Sequence, residues 1–345
     1  MTRLETVPCD ACGTTNTDDI LVQEDLAFPK SGELFHIVEC KDCHLRYTNP
    51  RPVKEVISEY YFDEYYTLPP PVQINGDQQT TGFRKWSQKI RQNLKIEFYG
   101  YPDTGKTKKS WPGSFLKKAF LRLERFRLMI AGREKGIIPY RGEGRVLDIG
   151  CGNGSILKGL QKDGWKVYGV EMNHRAAQFA KESLNIDGIP QNLLDAKYPD
   201  SFFDVILFNH SLEHMYSPGE ILKESERILT DDGLLIISLP NSDSIEAKFF
   251  KSYWFPLELP RHLYHFSPKT LEKTLKNNGL RVTKIRGDSG AGTFLLSLDY
   301  LYQFKYKKPN RYKRFIKMLV RPFLFTASHL GRSGTITVYA EKMKV

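Results

Sequence analysis

The sequence predicts a doubly wound α/β domain with a mostly parallel sheet, preceded by a small zinc-ribbon-like module and carrying a helical insert. Three observations support this. From about residue 140 onward short apolar strands alternate with punctuated helices, the pattern of a parallel sheet covered on both faces. A glycine turn, "LDIGCGNG", joins the first of these strands to its helix, and acids stand at the tips of this strand and the next. Two C-x-x-C pairs lie near the N-terminus.

Those pairs, "CDACG" and "CKDCH", supply Cys9, Cys12, Cys40 and Cys43 with 27 residues between them. Each knuckle offers two thiolates from a tight turn, and two knuckles complete a tetrahedral Zn²⁺ site. His44 follows the second pair, but four thiolates already close the site. The prolines of "NPRP" end the ribbon, a short aromatic-rich helix follows, and the module is read as residues 1–68. "LPPPVQINGDQQTTG" is linker by composition and opens a basic helical connector, residues 69–135. Within the connector Phe115, Leu116, Ala119, Leu123 and Phe126 sit near helical spacing and are the expected apolar face.

The α/β domain then runs over residues 136–345, with a basic, aromatic insert at 288–334 before the final strand "TITVYAEK". "RVLDI", "KVYGV", "FDVILF" and "LLIISL" are strands by length and β-branched content. "NHRAAQFAKESLN" places Ala176, Ala177, Ala180 and Leu184 on one helix face. In "SPGEILKESERILTDDG" Ser217 reads as the N-cap, Pro218 as the first helical residue, Glu220 as the partner in a capping box and Gly233 as the stop. "SPKTLEKTLKNNG" repeats the Ser-Pro start.

The net charge of +11 is concentrated: residues 84–135 hold 15 Lys/Arg against 4 Asp/Glu, and residues 300–332 hold 9 against none. Such segments suit nucleic acid, anionic lipid or phosphorylated substrates, or simply a solvated face. The opening residues lack the apolar run of a secretory signal, and no stretch of about 18 apolar residues suggests a spanning helix, so the expectation is a cytoplasmic protein.

Two glycine loops compete for a ligand. "GYPDTGKT", residues 100–107, has the letters of a phosphate-cradling P-loop, which needs a long helix directly after its Lys and Thr. Pro112 and Gly113 stand where that helix should run, so Lys106 and its neighbours read as a basic connector and a nucleotide hydrolase is not expected. "GRVLDIGCGNGSILKGLQKDGWKVYGVE" does show strand, turn, helix, strand and acid in order. Its glycines, Gly150, Gly152 and Gly154, are spaced G-x-G-x-G, with Ser155 where a dinucleotide fingerprint wants its third glycine. That spacing suits a ligand with an amino acid end and a ribose. Asp148 can meet the ammonium and Glu171 the ribose hydroxyls.

On "VLDIGCGNG", "GVE", "FDVILFNHSLEHMYSPGEILKESERILTDDGLLIISLPN" and the terminal strand, the sequence resembles the class I, Rossmann-like S-adenosylmethionine-dependent methyltransferases. The resemblance implies a seven-stranded sheet and S-adenosylmethionine held by Asp148, Gly150, Gly152 and Glu171. It also implies an adenine edge near Asn192 and Leu193, with Asp195 as the runner-up. "LEHM", "LPN" and "WFPLELPRHLYHFSPKTLEKTLKNNGL", with the C-x-x-C pair and "NPRP", look like bacterial methyltransferases of cell-surface glycan and secondary-metabolite pathways. The acceptor expected by that analogy is a small molecule, a glycan or a lipid-linked compound, and fold alone does not fix it.

Methyl transfer from a sulfonium needs aligned reactants, and a base only where the acceptor loses a proton. His210 and His214 follow the fourth strand, and His262 and His265 lie in the segment after the fifth, at the ends where open sheets place their ligands. The catalytic candidates are His214, His262, His210 and Glu213. The resemblance extends to families with a metal-linked Glu-x-x-Glu-His motif, but His210 replaces the first Glu, so a second divalent ion on His210, Glu213, His214 and His262 is the weaker reading. Arg261 suits a phosphate or carboxylate on the substrate, or an internal ion pair. The 288–334 insert reads as an interfacial helix making peripheral membrane contact, a substrate lid or a dimer contact. The rival of another class is a nucleic-acid-binding or nucleic-acid-modifying protein that works through the ribbon and the basic connector.

Overall fold

The computed structural model describes residues 3–28, 32–61, 82–103, 114–130, 137–186, 189–307 and 313–344. The Gly105-Lys106-Thr107 loop and most of the proline-rich linker lie outside the described residues. Two compact units result, one of residues 1–66 with 144–345 and one of residues 67–143.

At the N-terminus, β1 (Leu4–Glu5), β2 (Thr17–Glu24), β3 (Leu34–Cys40), β4 (Arg46–Thr48) and β5 (Arg51–Pro52) form the ribbon. β2, β3 and β4 pair antiparallel in sequence order, while β1 pairs with β5. Each C-x-x-C pair turns on a residue in the left-handed region, Gly13 at φ 74° and His44 at φ 62°. The His44 ring reaches back to Glu39, 3.3 Å away, and so faces away from the thiols.

The smaller unit holds α1 (Gly82–Tyr99) and α2 (Ser114–Ile130). Their shared core is Ile90, Leu94 and Leu121, with Phe98 and Phe120 against it. The expected α2 face needs correction: Leu123 and Phe126 are exposed, because α1 packs on the side that carries Leu121.

The larger unit is built on β6 (Arg145–Ile149), α3 (Ser155–Lys162), β7 (Lys166–Val170), α4 (His174–Leu184), β8 (Phe203–Asn209), α5 (Pro218–Ile228) and β9 (Leu229–Pro240). α6 (Ile245–Phe250), β10 (Tyr264–His265), α7 (Pro268–Asn277), β11 (Leu280–Gly287), α8 (Gly292–Tyr300), α9 (Lys313–His329) and β12 (Thr335–Lys342) complete it. The sheet order is β11-β12-β9-β8-β6-β7. β7, β6, β8 and β9 run parallel, and β12 is antiparallel to both neighbours. Among the described residues this sheet has six strands, one fewer than expected. Beyond β7 the Glu171 amide donates to the Pro190 carbonyl at 3.0 Å, and proline has no N–H with which to return a ladder bond.

Two helix-end expectations also change. Gly233 lies inside β9, and α5 ends earlier, at Ile228. Ser217 makes no capping bond; Asp10, between the first two cysteines, accepts the Gly219 amide at 2.9 Å instead. β10 joins the open edge of β4, so residues after β9 extend the ribbon sheet. Cys9, Cys40, Cys43 and Tyr47 accordingly share one buried cluster with Leu147, Phe208, Leu222 and Leu263.

Candidate active site

The donor side begins at the tip of β6. Asp148 is buried, and one of its carboxylate oxygens has no hydrogen-bond partner. Burial, and then the charge of Glu171, push its pKa up to about 7. A buried carboxylate with a vacant lone pair is stabilised by an incoming ammonium. Glu171 is already oriented: it accepts the Gly152 amide on Oε2 and the Asn173 amide on Oε1, each at 2.8 Å. Each oxygen keeps a second lone pair for a hydroxyl donor.

The glycines differ in what they do. Gly150, at φ +80°, is required by packing, since a Cβ there would stand 2.5 Å from that of Ser211. Gly152, at φ +53°, would present its Cβ to open space, the side from which a ligand can approach the backbone.

The adenine expectation divides. Asn192 is exposed and donates to Asp195 at 3.1 Å. Leu193 turns into the core instead, where it belongs to the main buried cluster. Leu194 is 42% exposed and Met172, next to Glu171, is 63% exposed. Sequence reasoning passed over both, although an apolar residue just after a strand-terminal acid was a usable signal for an aromatic-ring contact.

On the acceptor side the loop after β8 places His210 at φ 55°, a strained conformation for a non-glycine residue. Its Nδ1 lies 3.5 Å from Glu213 Oε1, and 46% of its side chain is exposed. Burial opposes the charged imidazole, but the bond and charge of Glu213 outweigh it and raise the pKa. Burial alone would raise Glu213, whereas His210, His262 and His214 together lower it. Apart from this 3.5 Å approach of His210, no hydrogen bond among the described residues reaches either Glu213 carboxylate oxygen.

His214 and His262 pack edge to face, with centroids 4.5 Å apart. Burial, and then the charge of His262, push the His214 pKa down to about 4, which keeps this imidazole neutral. His214 Nδ1 donates to the Arg261 carbonyl at 3.0 Å, and His262 Nδ1 to the Pro256 carbonyl at 2.7 Å. Glu213, His214 and His262 each bring one ligand atom to within 4.8 Å of the others. Arg261 is fully buried and forms a bidentate pair with Asp25 at 2.6 and 2.8 Å, so it ties the segment to the ribbon and is closed to substrate.

A cavity of about 390 Å³ has His265 in its wall, whereas His210, Glu213, His214 and His262 do not line it. Ile20, Ile37 and Arg46 line it from the ribbon, and Lys251, Trp254 and His265 from the segment after β9. Burial, and then the neighbouring His262, push the His265 pKa down to about 3.

In the ribbon the Sγ atoms of Cys9 and Cys43 are 3.4 Å apart and those of Cys12 and Cys40 3.5 Å apart. All four fall within 4.8 Å of one another. Zn–S bonds of about 2.3 Å in a tetrahedron separate sulfurs by roughly 3.8 Å, so the cluster fits that ion.

Residues 115–285 match a family model described as a methyltransferase domain. The chain is 27% identical over 159 residues to the ubiquinone biosynthesis O-methyltransferase of Coxiella burnetii (strain Dugway 5J108-111), covering 41% of this chain and 65% of that protein. It is 26% identical over 137 residues to the 27-O-demethylrifamycin SV methyltransferase of Amycolatopsis mediterranei (strain S699), covering 36% and 50%. The chain thus spans less than two thirds of these relatives. A SAM dependent methyltransferase from Archaeoglobus fulgidus superposes with a TM-score of 0.44 at 23% identity, over 65% of this chain and 99% of that one. The match over residues 115–285 identifies a methyltransferase domain within this α/β fold, with a four-cysteine segment near the N-terminus.

Proposed function

We propose that this protein transfers a methyl group from S-adenosylmethionine to an acceptor that carries an anionic group on an apolar body. The observation that carries the reading is the donor cradle. Asp148 has a vacant carboxylate oxygen, Gly152 faces open space, and Glu171 is fixed by two amides. When bound, S-adenosylmethionine supplies an activated methyl group on a sulfonium. Asp148 then receives its ammonium, Glu171 its ribose hydroxyls, and Asn192, Met172 and Leu194 border its adenine. The mixed apolar and basic walls of the cavity support an anionic, partly apolar acceptor, which includes sugar, small-molecule and lipid-linked compounds. The four thiols support a structural zinc ion.

For an acceptor that loses a proton, His210 is the best-placed base. It is half-exposed, its pKa is raised, and Glu213 orients it from below as the acid orients the base in a catalytic triad. His214 and His262 stand behind it and shape the wall. Calorimetry should show donor binding weakened at least tenfold by Asp148→Ala and by Glu171→Ala, while His210→Gln lowers transfer and leaves donor affinity intact. Unchanged affinity in both donor variants would sink the site assignment. A divalent ion on Glu213, His214 and His262 is the second reading, favoured by a buried carboxylate that His210 approaches only at 3.5 Å. Activity that rises with added Mg²⁺ and survives His210→Gln would select it.

A further inference from the structure

Helix α9 buries one apolar face and leaves another open. Ile316 and Val320 pack beside Ala291, Leu295 and Leu324, and Ala327 is buried as well. On the opposite side Phe315, Met318, Leu319 and Phe323 are 58%, 63%, 58% and 49% exposed, and Leu330, just past the helix end, is 66% exposed. At about 100° per residue these five side chains fall within an arc of roughly 140°, which also holds the exposed Pro322, Thr326 and His329. Arg321, exposed, borders the Met318 edge of this face, and Lys317, also exposed, lies one turn before it toward the buried side. Around them residues 300–332 hold nine Lys/Arg and no Asp/Glu.

We infer that α9 docks this protein on an anionic membrane surface, with Phe315, Met318, Leu319 and Phe323 immersed and the cations of the segment against the lipid headgroups. An interfacial helix needs an apolar face to enter the acyl boundary and flanking cations whose stems lie along it, and α9 supplies both. Among the described residues no helix is long and apolar enough to cross a membrane, so the helix lies in the interface. Charge selects lipid over a second copy of the chain. A two-fold contact through this face would bring two acid-free basic segments together, whereas anionic headgroups neutralise them. The inference stands apart from the donor chemistry.

The test is co-sedimentation of the full chain with vesicles of phosphatidylcholine, alone or doped to about one-third with phosphatidylglycerol. The expected result is retention on the doped vesicles only, declining as salt rises. A triple variant, Phe315→Ser with Met318→Ser and Phe323→Ser, keeps every charge and should bind at least tenfold more weakly. Lys317→Glu with Arg321→Glu should do the same while keeping the apolar face. Circular dichroism of the variants controls for folding, because none of these side chains is in the core. Wild-type affinity in the triple variant would overturn the proposal, since net charge alone would then explain binding. Concentration-dependent dimers lost in the triple variant, without vesicle binding by the wild type, would overturn it in favour of a second copy.

Discussion

Asp148 shows how one side chain couples ligand binding to pH. Burial and Glu171 raise its pKa to about 7, so the empty protein favours the protonated acid. In the absence of ligand this contribution to stability is complete below the ordinary carboxylate pKa and is lost as pH rises through about 7. A bound ammonium reverses the preference and stabilises the carboxylate. Donor binding should therefore release a proton, and affinity should climb between about pH 6 and 8. Calorimetry in buffers of different ionisation enthalpy reads the proton directly. Asp148→Asn should flatten the profile, and a wild-type affinity independent of pH would show that Asp148 does not meet the charged end of the donor. The strand, turn, helix and strand that carry Asp148, Gly152 and Glu171 were legible in the sequence because they are contiguous and fix the geometry locally. For Arg261 the sequence left a substrate anion and an internal ion pair both open, and what it could not supply was the partner: Asp25, 236 residues earlier in the chain.

The same distinction between near and distant partners holds for whole helices. α4 and α7 begin as their sequences say: Asn173 accepts the Ala176 amide, and Ser267 forms a capping box with Thr270. α5 carries an equally convincing Ser-Pro start, yet its first turn is served by Asp10 from the ribbon. Replacing Asp10 by Ala should cost about 1 kcal/mol, the usual worth of a helix cap, while Ser217→Ala should be nearly neutral. Urea denaturation of the two variants measures this, and the reverse order would return the cap to Ser217. The α2 face failed for a related reason. A helix with several apolar residues offers more than one periodic reading, and only the position of α1 decides that Leu121 is buried and Leu123 open. Among the described residues no sixth strand pair forms at the β7 edge, where Pro190 has no N–H to return to the ladder, a local signal that the family pattern obscured.

At the scale of the molecule, the ribbon and the sheet share a core. Cys9, Cys40 and Cys43 lie in one cluster with Leu147, Phe208 and Leu263, β10 extends the ribbon sheet, and Arg261 and Asp10 bridge the two parts by polar bonds. The sequence marked a boundary near residue 68, where composition changes, but pairing between β4 and β10 cannot be seen in composition. A metal held by the four thiols would therefore stabilise more than its own knuckles. Structural zinc contributes about 10–16 kcal/mol in isolated zinc-finger peptides, comparable to the whole stability of a domain. Chelation by phenanthroline should release one zinc per chain and lower the melting temperature of the entire larger unit. Donor binding should be lost in the same step, because Leu147 and Ile149, on either side of Asp148, pack in the cluster that holds the ribbon cysteines. Scanning calorimetry with parallel donor titration makes the comparison. Two separate transitions, with donor affinity surviving the first, would show instead that the ribbon melts as an independent module and that the shared core carries little of the stability.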